Sequence, residues 1–256
     1  MWPLNQHPFY ILILSLTILG GSVWCGGALL SRFKNRVAWS QTDFNLVQTA
    51  TLTLLSLIIG FTFSMSIVRF DQRKMLEEAE ANAISTAILR ADLLASDSRV
   101  QIKQLLVEYL EQRILFYTAD EADLNKINTQ TATLQNKLWG VAAQAANAQP
   151  TATTALAVAS ISDAISAEGH SQGAAWNTIP RPAWWLLAAI AVCANLMFGF
   201  GSHHFNSHKS ILFTLPVIIS ITFFLIADID SPRSGSIRVV PQNLTNLAQT
   251  LSKVAQ

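Results

Sequence analysis

Charged residues are scarce in this chain of 256 amino acids, where they make up 13% of the sequence against 51% hydrophobic residues. A soluble domain of average composition carries about 25% charged residues. The charged side chains also avoid four stretches completely, at 9–30, 44–68, 182–202 and 210–227. This shortage of charge excludes an ordinary soluble protein and indicates an integral membrane protein that spans the lipid bilayer.

Cysteine, net charge and catalytic motifs are also in short supply. The two cysteines, Cys25 and Cys193, both lie in charge-free stretches, which excludes a disulfide framework and a cysteine zinc cluster. A net charge of +1 excludes the basic surface of a nucleic-acid-binding protein. His204 and His208 have metal-ligand spacing without a nearby carboxylate, so we interpret them as residues of a wet loop. We expect no enzymatic activity, cofactor or metal site.

The four charge-free stretches predict four transmembrane helices, because a bilayer core needs about 20 apolar residues in a helix. The fourth stretch is short and contains Pro216, which we expect to kink it. No basic residue precedes the first stretch, and Trp24 stands where a lipoprotein signal needs a small residue, so we expect this helix to be retained. Four spans place both termini and the middle segment, 69–181, on one side of the membrane.

The positive-inside rule does not decide the orientation by itself. Basic residues flank the spans on both sides, with Arg69, Arg73, Lys74, Arg181, Arg233 and Arg238 on the side of the middle segment and Arg32, Lys34, Arg36 and Lys209 on the other. The compact basic cluster at 32–36 opposes the larger number on the middle-segment side.

The middle segment is predicted to be helical, because it lacks glycine and proline as far as residue 139 and carries charged pairs three or four residues apart. One helix should continue from the second span. A second should begin near Asp97 or Ser98 and bury a stripe of Ile102, Leu105, Leu106, Tyr109, Leu110 and Ile114. Two more helices are expected before and after Pro150, the last over about 153–167, followed by a linker at 169–182. The predicted domains are 1–68, 69–181, 182–227 and a tail at 228–256.

Small residues repeat along the second span at Ser56, Gly60 and Ser64. Such a face allows close packing of another helix. It also suits the wall of a pore, because small polar side chains leave a lumen open and wettable. The sequence leaves both interpretations open.

Polar residues follow the second span. Glu78 and Asn82 share a helix face, and Arg90 and Asp92 come after them. We expect Asn82 to form a hydrogen bond in a close helix contact, and Glu77 and Glu80 to lie on a solvated face.

Two acidic residues, Asp228 and Asp230, end the fourth span, where the helix dipole disfavours negative charge. Arg233 or Arg238 could pair with them locally, or Arg69 or Arg73 could do so from the second span. The pattern is typical of a capped, ion-paired boundary, and an acidic ring at a channel mouth is the alternative.

The chain resembles the bestrophin-like domain family of bacterial membrane proteins. The resemblance rests on Arg73, Glu78 and Tyr109 and on five stretches, GFTFSM at 60–65, RFD at 69–71, ANAI at 81–84, LRADLL at 89–94 and ADIDSPRSG at 227–235. It implies an all-α membrane protein with four spans and a helical soluble domain between the second and third. Because bestrophins are pentameric anion channels whose second span lines the pore, it also implies a homo-oligomer, a central passage and small anions as permeant ions.

The resemblance places the middle segment and both termini in the cytoplasm, in a bacterial inner membrane. Its implied inner-mouth charges are Arg69, Asp71, Arg73, Asp228, Asp230 and Arg233, with the arginines concentrating anions. A second hypothesis is a membrane-anchored scaffold or sensor whose soluble helices bind a partner. In that case Ser56, Gly60 and Ser64 are packing residues only.

Overall fold

The computed structural model describes residues 8–28, 40–201, 212–233 and 235–254, and within these ranges the regular structure is helical, without a strand. This agrees with the all-α prediction. The helices are α1 (Pro8–Ala28), α2 (Gln41–Arg90), α3 (Ser96–Thr118), α4 (Leu124–Ala148), α5 (Ala152–Trp176), α6 (Arg181–Gly201), α7 (Thr214–Asp230) and α8 (Gln242–Val254). His204 and His208 lie outside the described residues.

Three stretches of helix are long and apolar enough to cross a membrane: α1, α2 with the short turn after it, and the stretch that holds α5 and α6. Their apolar parts coincide with the first three predicted spans. The fourth predicted span corresponds to α7, which has 17 residues and begins at Thr214. Pro216 therefore lies in the first turn of α7, where its missing N–H removes no hydrogen bond, and the kink expected there stays a prediction. The fourth span stays a prediction.

The chain divides into two compact units, and the first consists of Met1–Phe70 and Thr178–Arg238. In this unit α1 packs against α6 and α7. Its buried core draws side chains from α1, α2, α6 and α7, namely Leu19, Leu55, Leu187, Ala191, Ala194, Ile219 and Phe223. These residues all lie in the predicted spans, which accounts for the apolar character of those stretches.

Helices α1 and α6 cross at a point where each of them has a glycine, which has no side chain. A side chain on Gly199 of α6 would collide with the backbone carbonyl of Val23 in α1, and one on Gly26 of α1 would collide with that of Leu196 in α6. Glycine at both positions permits this close approach.

The second unit consists of Asp71–Asn177 and Val239–Gln256. Its core contains side chains from the C-terminal part of α2 and from α3, α4, α5 and α8. Four residues of the predicted stripe belong to this core and are at most 1% exposed, namely Ile102, Leu106, Tyr109 and Leu110. The 3-10 turn Ala91–Leu93 ends α2 before α3 begins at Ser96. Thr151, directly after Pro150, caps α5 by accepting the N–H of Thr154 at 3.2 Å.

Two segments differ from expectation. The predicted linker at 169–182 is helical as far as Trp176, because contacts to its side chains and carbonyl groups hold the last turns of α5 despite Gly169 and Gly173. The predicted tail at 228–256 divides at Arg238, since Leu244 of α8 is fully buried in the core of the second unit. The predicted domain boundaries otherwise stay predictions.

Candidate functional site

Among the described residues, helix α2 has one exposed face and one buried face. On its membrane-spanning part, Ser56, Gly60 and Ser64 are all exposed. A side chain added at Gly60 would meet no atom within 4 Å. The buried residues of the same stretch are Phe44, Leu55, Thr62 and Ser66. The small residues therefore do not pack against other described helices of this chain.

The open face of α2 continues beyond the membrane-spanning part. Asp71, Glu78 and Asn82 are exposed, and the apolar side chain of Met75 between them is 68% exposed. The side chain of Asn82 lies on this open face, and the helix contact expected for it stays a prediction. The open face thus combines hydroxyl, carboxylate, amide and apolar groups along one helix.

Arg69 and Asp230 form an ion pair in the first unit, with their charged atoms 3.6 Å apart. Asp230 is 2% exposed and also accepts the backbone N–H of Ile179 at 2.9 Å. The carboxylate at the end of α7 thereby contacts α2 and the segment that enters α6. This is the ion-paired boundary predicted for the end of the fourth span.

Asp228 closes the turn that follows α7. Its carboxylate oxygens accept the backbone N–H groups of Ser236 at 2.7 Å and Ile237 at 2.9 Å. A side chain at Gly235 would collide with Asp228, which explains the glycine in this turn. Arg233, in the same turn, is half-buried. Both aspartates contact groups of this chain, so their geometry is that of structural caps.

Arg73 lies on the buried face of α2 in the second unit. Its guanidinium donates to the carbonyl oxygens of Ala174 at 3.3 Å and Asn177 at 3.1 Å, at the C-terminal end of α5. A positive charge is favourable there because the last carbonyls of a helix carry partial negative charge. Arg73 therefore caps α5 and is 6% exposed.

Glu77, one turn further along the same face, contacts the opposite kind of helix end. Its carboxylate accepts the backbone N–H groups of Asn243 and Leu244, each at 3.0 Å, and the side-chain amide of Asn243 at 2.7 Å. These N–H groups lie in the first turn of α8, where the helix end carries partial positive charge. Arg73 and Glu77 thus match their charges to the ends of two helices.

Glu80 forms a fully buried ion pair with Arg113 of α3, and both residues are 0% exposed. Ser171 of α5 donates to the Glu80 carboxylate at 2.8 Å, and Tyr117 donates to it at 3.4 Å. Arg113 also faces Glu168 at 3.5 Å. One arginine is therefore shared by two carboxylates, with hydroxyl donors that satisfy Glu80.

The protonation behaviour of this cluster follows from burial and charge. Burial raises the pKa of the Tyr109 hydroxyl, and burial together with the Glu80 carboxylate raises the pKa of Tyr117. Burial alone would lower the pKa of Arg113, but the charge and hydrogen bond of Glu80 outweigh it and the pKa is raised. Both tyrosines therefore stay neutral donors, and Arg113 stays charged.

Comparison with known proteins adds the family. Residues 24–244 match the model of the Bestrophin-like domain family. The chain belongs to this family. It is a bestrophin-like membrane protein, and the resemblance carried by its motifs is confirmed.

Solved structures share the fold of this bestrophin-like chain. A single-substitution variant of a bacterial bestrophin homologue from Klebsiella pneumoniae is 16% identical, over 93% of this chain and 99% of that one, with a TM-score of 0.63. A second variant is 15% identical, over 97% and 98%, with a TM-score of 0.66. A structure described as a membrane protein is 16% identical, over 94% and 98%, with a TM-score of 0.61. Curated proteins gave no match.

The motif residues of the bestrophin-like chain separate in the structure. Glu78 and Asn82 are exposed, Arg90 is half-buried, and Asp92 pairs with Lys103 of α3 at 2.7 Å on the surface. They form no common cluster. The motifs are instead distributed along α2, over its open face and its buried one.

The expectation that Glu77 and Glu80 are solvated was wrong, since they are 1% and 0% exposed. The signal that could have found them is their spacing. Arg73, Glu77, Glu80 and Ile84 recur every three or four residues, so they share a face with the apolar residues that enter the core. Arg113 gives the same signal in α3, because it follows Tyr109 by four residues.

Proposed function

We propose that this chain is one subunit of a homo-oligomeric ion channel in a bacterial inner membrane, with α2 of each subunit lining a central passage. The observation that carries the proposal is the open face of α2, where Ser56, Gly60 and Ser64 are exposed among the described residues and open space surrounds Gly60. Facing lipid, these residues would contribute little apolar contact. Around a common axis they would leave a wettable lumen, as small polar residues do in channels.

Exposed apolar side chains outside the membrane support the assembly of several copies. Met75 and Leu89 are 68% and 69% exposed on the part of α2 that belongs to the second unit, where lipid would not cover them. Large apolar groups left open in this way mark protein interfaces. A pentamer with its termini and second unit in the cytoplasm is the arrangement that the family resemblance favours.

Anion selectivity rests on Arg69, which is paired with Asp230 but keeps its side chain 15% exposed. Arg73 does not support anion selectivity as a charge at the channel mouth, because its guanidinium caps α5. Cation selectivity is the alternative, and it is favoured by the exposed carboxylates of Asp71 and Glu78 on the open face. Rings of such charges set ion preference in other channels.

The purified protein should therefore conduct ions in planar bilayers. Ser64→Trp should reduce the current while the mass of the detergent-solubilised oligomer stays unchanged, because a large side chain would narrow the passage. Ile13→Trp is the matched control, since Ile13 is 60% exposed on α1. A monomer, or a protein that never conducts under any ion gradient, would overturn the proposal. Loss of assembly in Ser64→Trp would favour the scaffold hypothesis.

The reversal potential in a salt gradient tests the permeant ion. If Arg69 selects anions, Arg69→Gln should shift the potential towards the cation value. If the carboxylates select cations, the double variant Asp71→Asn, Glu78→Gln should shift it towards the anion value. The same two variants thus distinguish the alternatives.

A further inference from the structure

We propose that the first unit binds the headgroup of an anionic phospholipid at the membrane surface, through an arginine rim that consists of Arg181, Trp185, Ile237 and Arg238. All four side chains are exposed. Arg181 begins α6, and Arg238 lies in the segment that follows α7. Among the residues that the structure describes, neither arginine forms an ion pair. Two positive charges are therefore open to an external anion.

The last turn of α7 holds both segments that carry these arginines. Asp230 accepts the backbone N–H of Ile179, two residues before Arg181, at 2.9 Å. Asp228 accepts the N–H groups of the two residues directly before Arg238, at 2.7 Å and 2.9 Å. One helix end thus fixes the backbone next to each arginine. The two charges are brought to the same end of α7 by these hydrogen bonds.

The carboxylates that hold the rim do not neutralise it. Both aspartate side chains, Asp228 and Asp230, are 2% exposed. Asp230 is already paired with Arg69 at 3.6 Å, and Asp228 is occupied by backbone N–H groups. The start of a helix also disfavours a positive charge, so Arg181 gains from an anion that the chain itself does not supply. The rim therefore keeps its net positive charge.

The apolar part of the rim distinguishes a lipid from a free anion. Trp185 follows Arg181 by four residues, so the two side chains share a helix face. The ring of Trp185 is 68% exposed, whereas Trp184 packs against Phe223 inside the unit, with ring centres 6.2 Å apart. An exposed tryptophan at the start of a membrane-spanning helix favours the headgroup layer. A phospholipid offers acyl chains to this ring, and a free phosphate does not.

The chemistry of the two arginines fits the phosphate of a lipid. A guanidinium donates two parallel hydrogen bonds to phosphate oxygens. A headgroup that contacts Arg181 and Arg238 would join their two segments from outside, as Asp228 and Asp230 do from inside. Such a ligand binds the folded state and should therefore stabilise the protein. The proposal concerns the membrane surface of a single subunit and does not depend on ion conduction.

Lipid binding is measured on the full-length protein in a neutral detergent. The probe is phosphatidylglycerol, and phosphatidylcholine with the same acyl chains is the comparison. Native mass spectrometry counts the lipids that stay bound, and the melting temperature reports stabilisation. We expect phosphatidylglycerol to be retained and to raise the melting temperature more than phosphatidylcholine does. Added salt should weaken this preference, because it screens exposed charges.

Variants assign the binding to the rim. Arg181→Gln and Arg238→Gln should each weaken phosphatidylglycerol binding about fivefold, and the double variant about 25-fold, since each basic residue contributes separately near an anionic headgroup. Lys137→Gln is the matched control, because it removes the same charge from an exposed position on α4. It should leave binding unchanged.

Three results would overturn the proposal. The first is equal retention of the two lipids by the unmodified protein. The second is a loss of binding in Lys137→Gln as large as that in Arg181→Gln, which would assign the preference to overall charge. The third is binding of inorganic phosphate with the affinity of phosphatidylglycerol, which would make the ligand a free anion.

Discussion

The guanidinium of Arg113 and the carboxylate of Glu80 form an ion pair that is completely removed from solvent. The phenyl ring of Phe116 covers Arg113, with the guanidinium carbon 4.3 Å from the ring centre. Ser171 bridges the two partners, since it accepts from Arg113 at 3.1 Å and donates to Glu80 at 2.8 Å. This pair ties α2, α3 and α5 together in the second unit.

Removing one partner of this pair should destabilise the protein strongly. Glu80→Ala leaves Arg113 facing Glu168 alone, and breaking a buried pair in this way costs about 3–5 kcal/mol. The apparent melting temperature in detergent should fall accordingly. Glu78→Ala, two residues away and exposed, should change it little. Equal effects of the two variants would contradict the structural role of the pair.

The glycine contact between α1 and α6 predicts opposite results for two glycines. Gly199→Ala should destabilise by about 1–3 kcal/mol, because its new methyl group collides with the α1 backbone. Gly60→Ala should stabilise α2 by about 0.5–1 kcal/mol, because open space surrounds it and alanine is the better helix former. Thermal unfolding of both variants measures the difference, and a neutral Gly199→Ala would argue against the close crossing.

A double-mutant cycle measures the pair between Arg69 and Asp230. The variants Arg69→Gln and Asp230→Asn should show a coupling of about 0.5–3 kcal/mol, because the carboxylate is buried. The exposed pair of Lys103 and Asp92 is the reference, and its coupling should be about 1 kcal/mol or less. The prediction fails if the exposed pair couples as strongly as the buried one.

Alkaline pH should weaken the second unit through Tyr109 and Tyr117. Their raised pKa values mean that the folded state holds the phenol protons more tightly than the unfolded state does. This contribution is complete below the ordinary tyrosine pKa of about 10 and is lost as the pH rises towards the folded-state values. The melting temperature should therefore fall as the pH rises from about 10 to about 12.

The double variant Tyr109→Phe, Tyr117→Phe tests the source of this fall. It should lose less of its melting temperature over the same pH interval, because the two phenol groups are gone. Absorbance of phenolate should appear together with unfolding for the two buried tyrosines. An identical pH profile in the variant would assign the fall to other groups.

Sequence periodicity was sufficient for the helices and for much of the core. The stripe of Ile102, Leu106, Tyr109 and Leu110 is buried as its spacing predicts, because a helix brings such residues to one face. The first three spans follow from the absence of charge. The family was also readable from contiguous motifs, which need no knowledge of distant contacts.

The roles of charged residues could not be read in the same way. Asp71 and Arg73 are two residues apart, yet one is exposed and the other caps α5. Glu77 and Glu78 are neighbours, yet one holds α8 and the other is exposed. The sequence pattern predicted a solvated face for Glu77, and the family resemblance implied mouth charges at Asp71 and Arg73. The burial of Arg73 and Glu77 depends on distant partners. The partner of Arg73 lies about 100 residues further along the chain, and that of Glu77 about 166 residues further.

The sequence by itself determined that this protein spans a membrane, that it is helical and that it belongs with the bestrophin-like proteins. Those properties depend on the length and the spacing of apolar residues within single segments, which favour burial in lipid or against other helices. Both can be read from neighbouring positions in the sequence. Only the tertiary structure decided which charges are buried. A charged side chain enters a core when helix ends or opposite charges compensate its lost hydration, and those partners are brought together by folding.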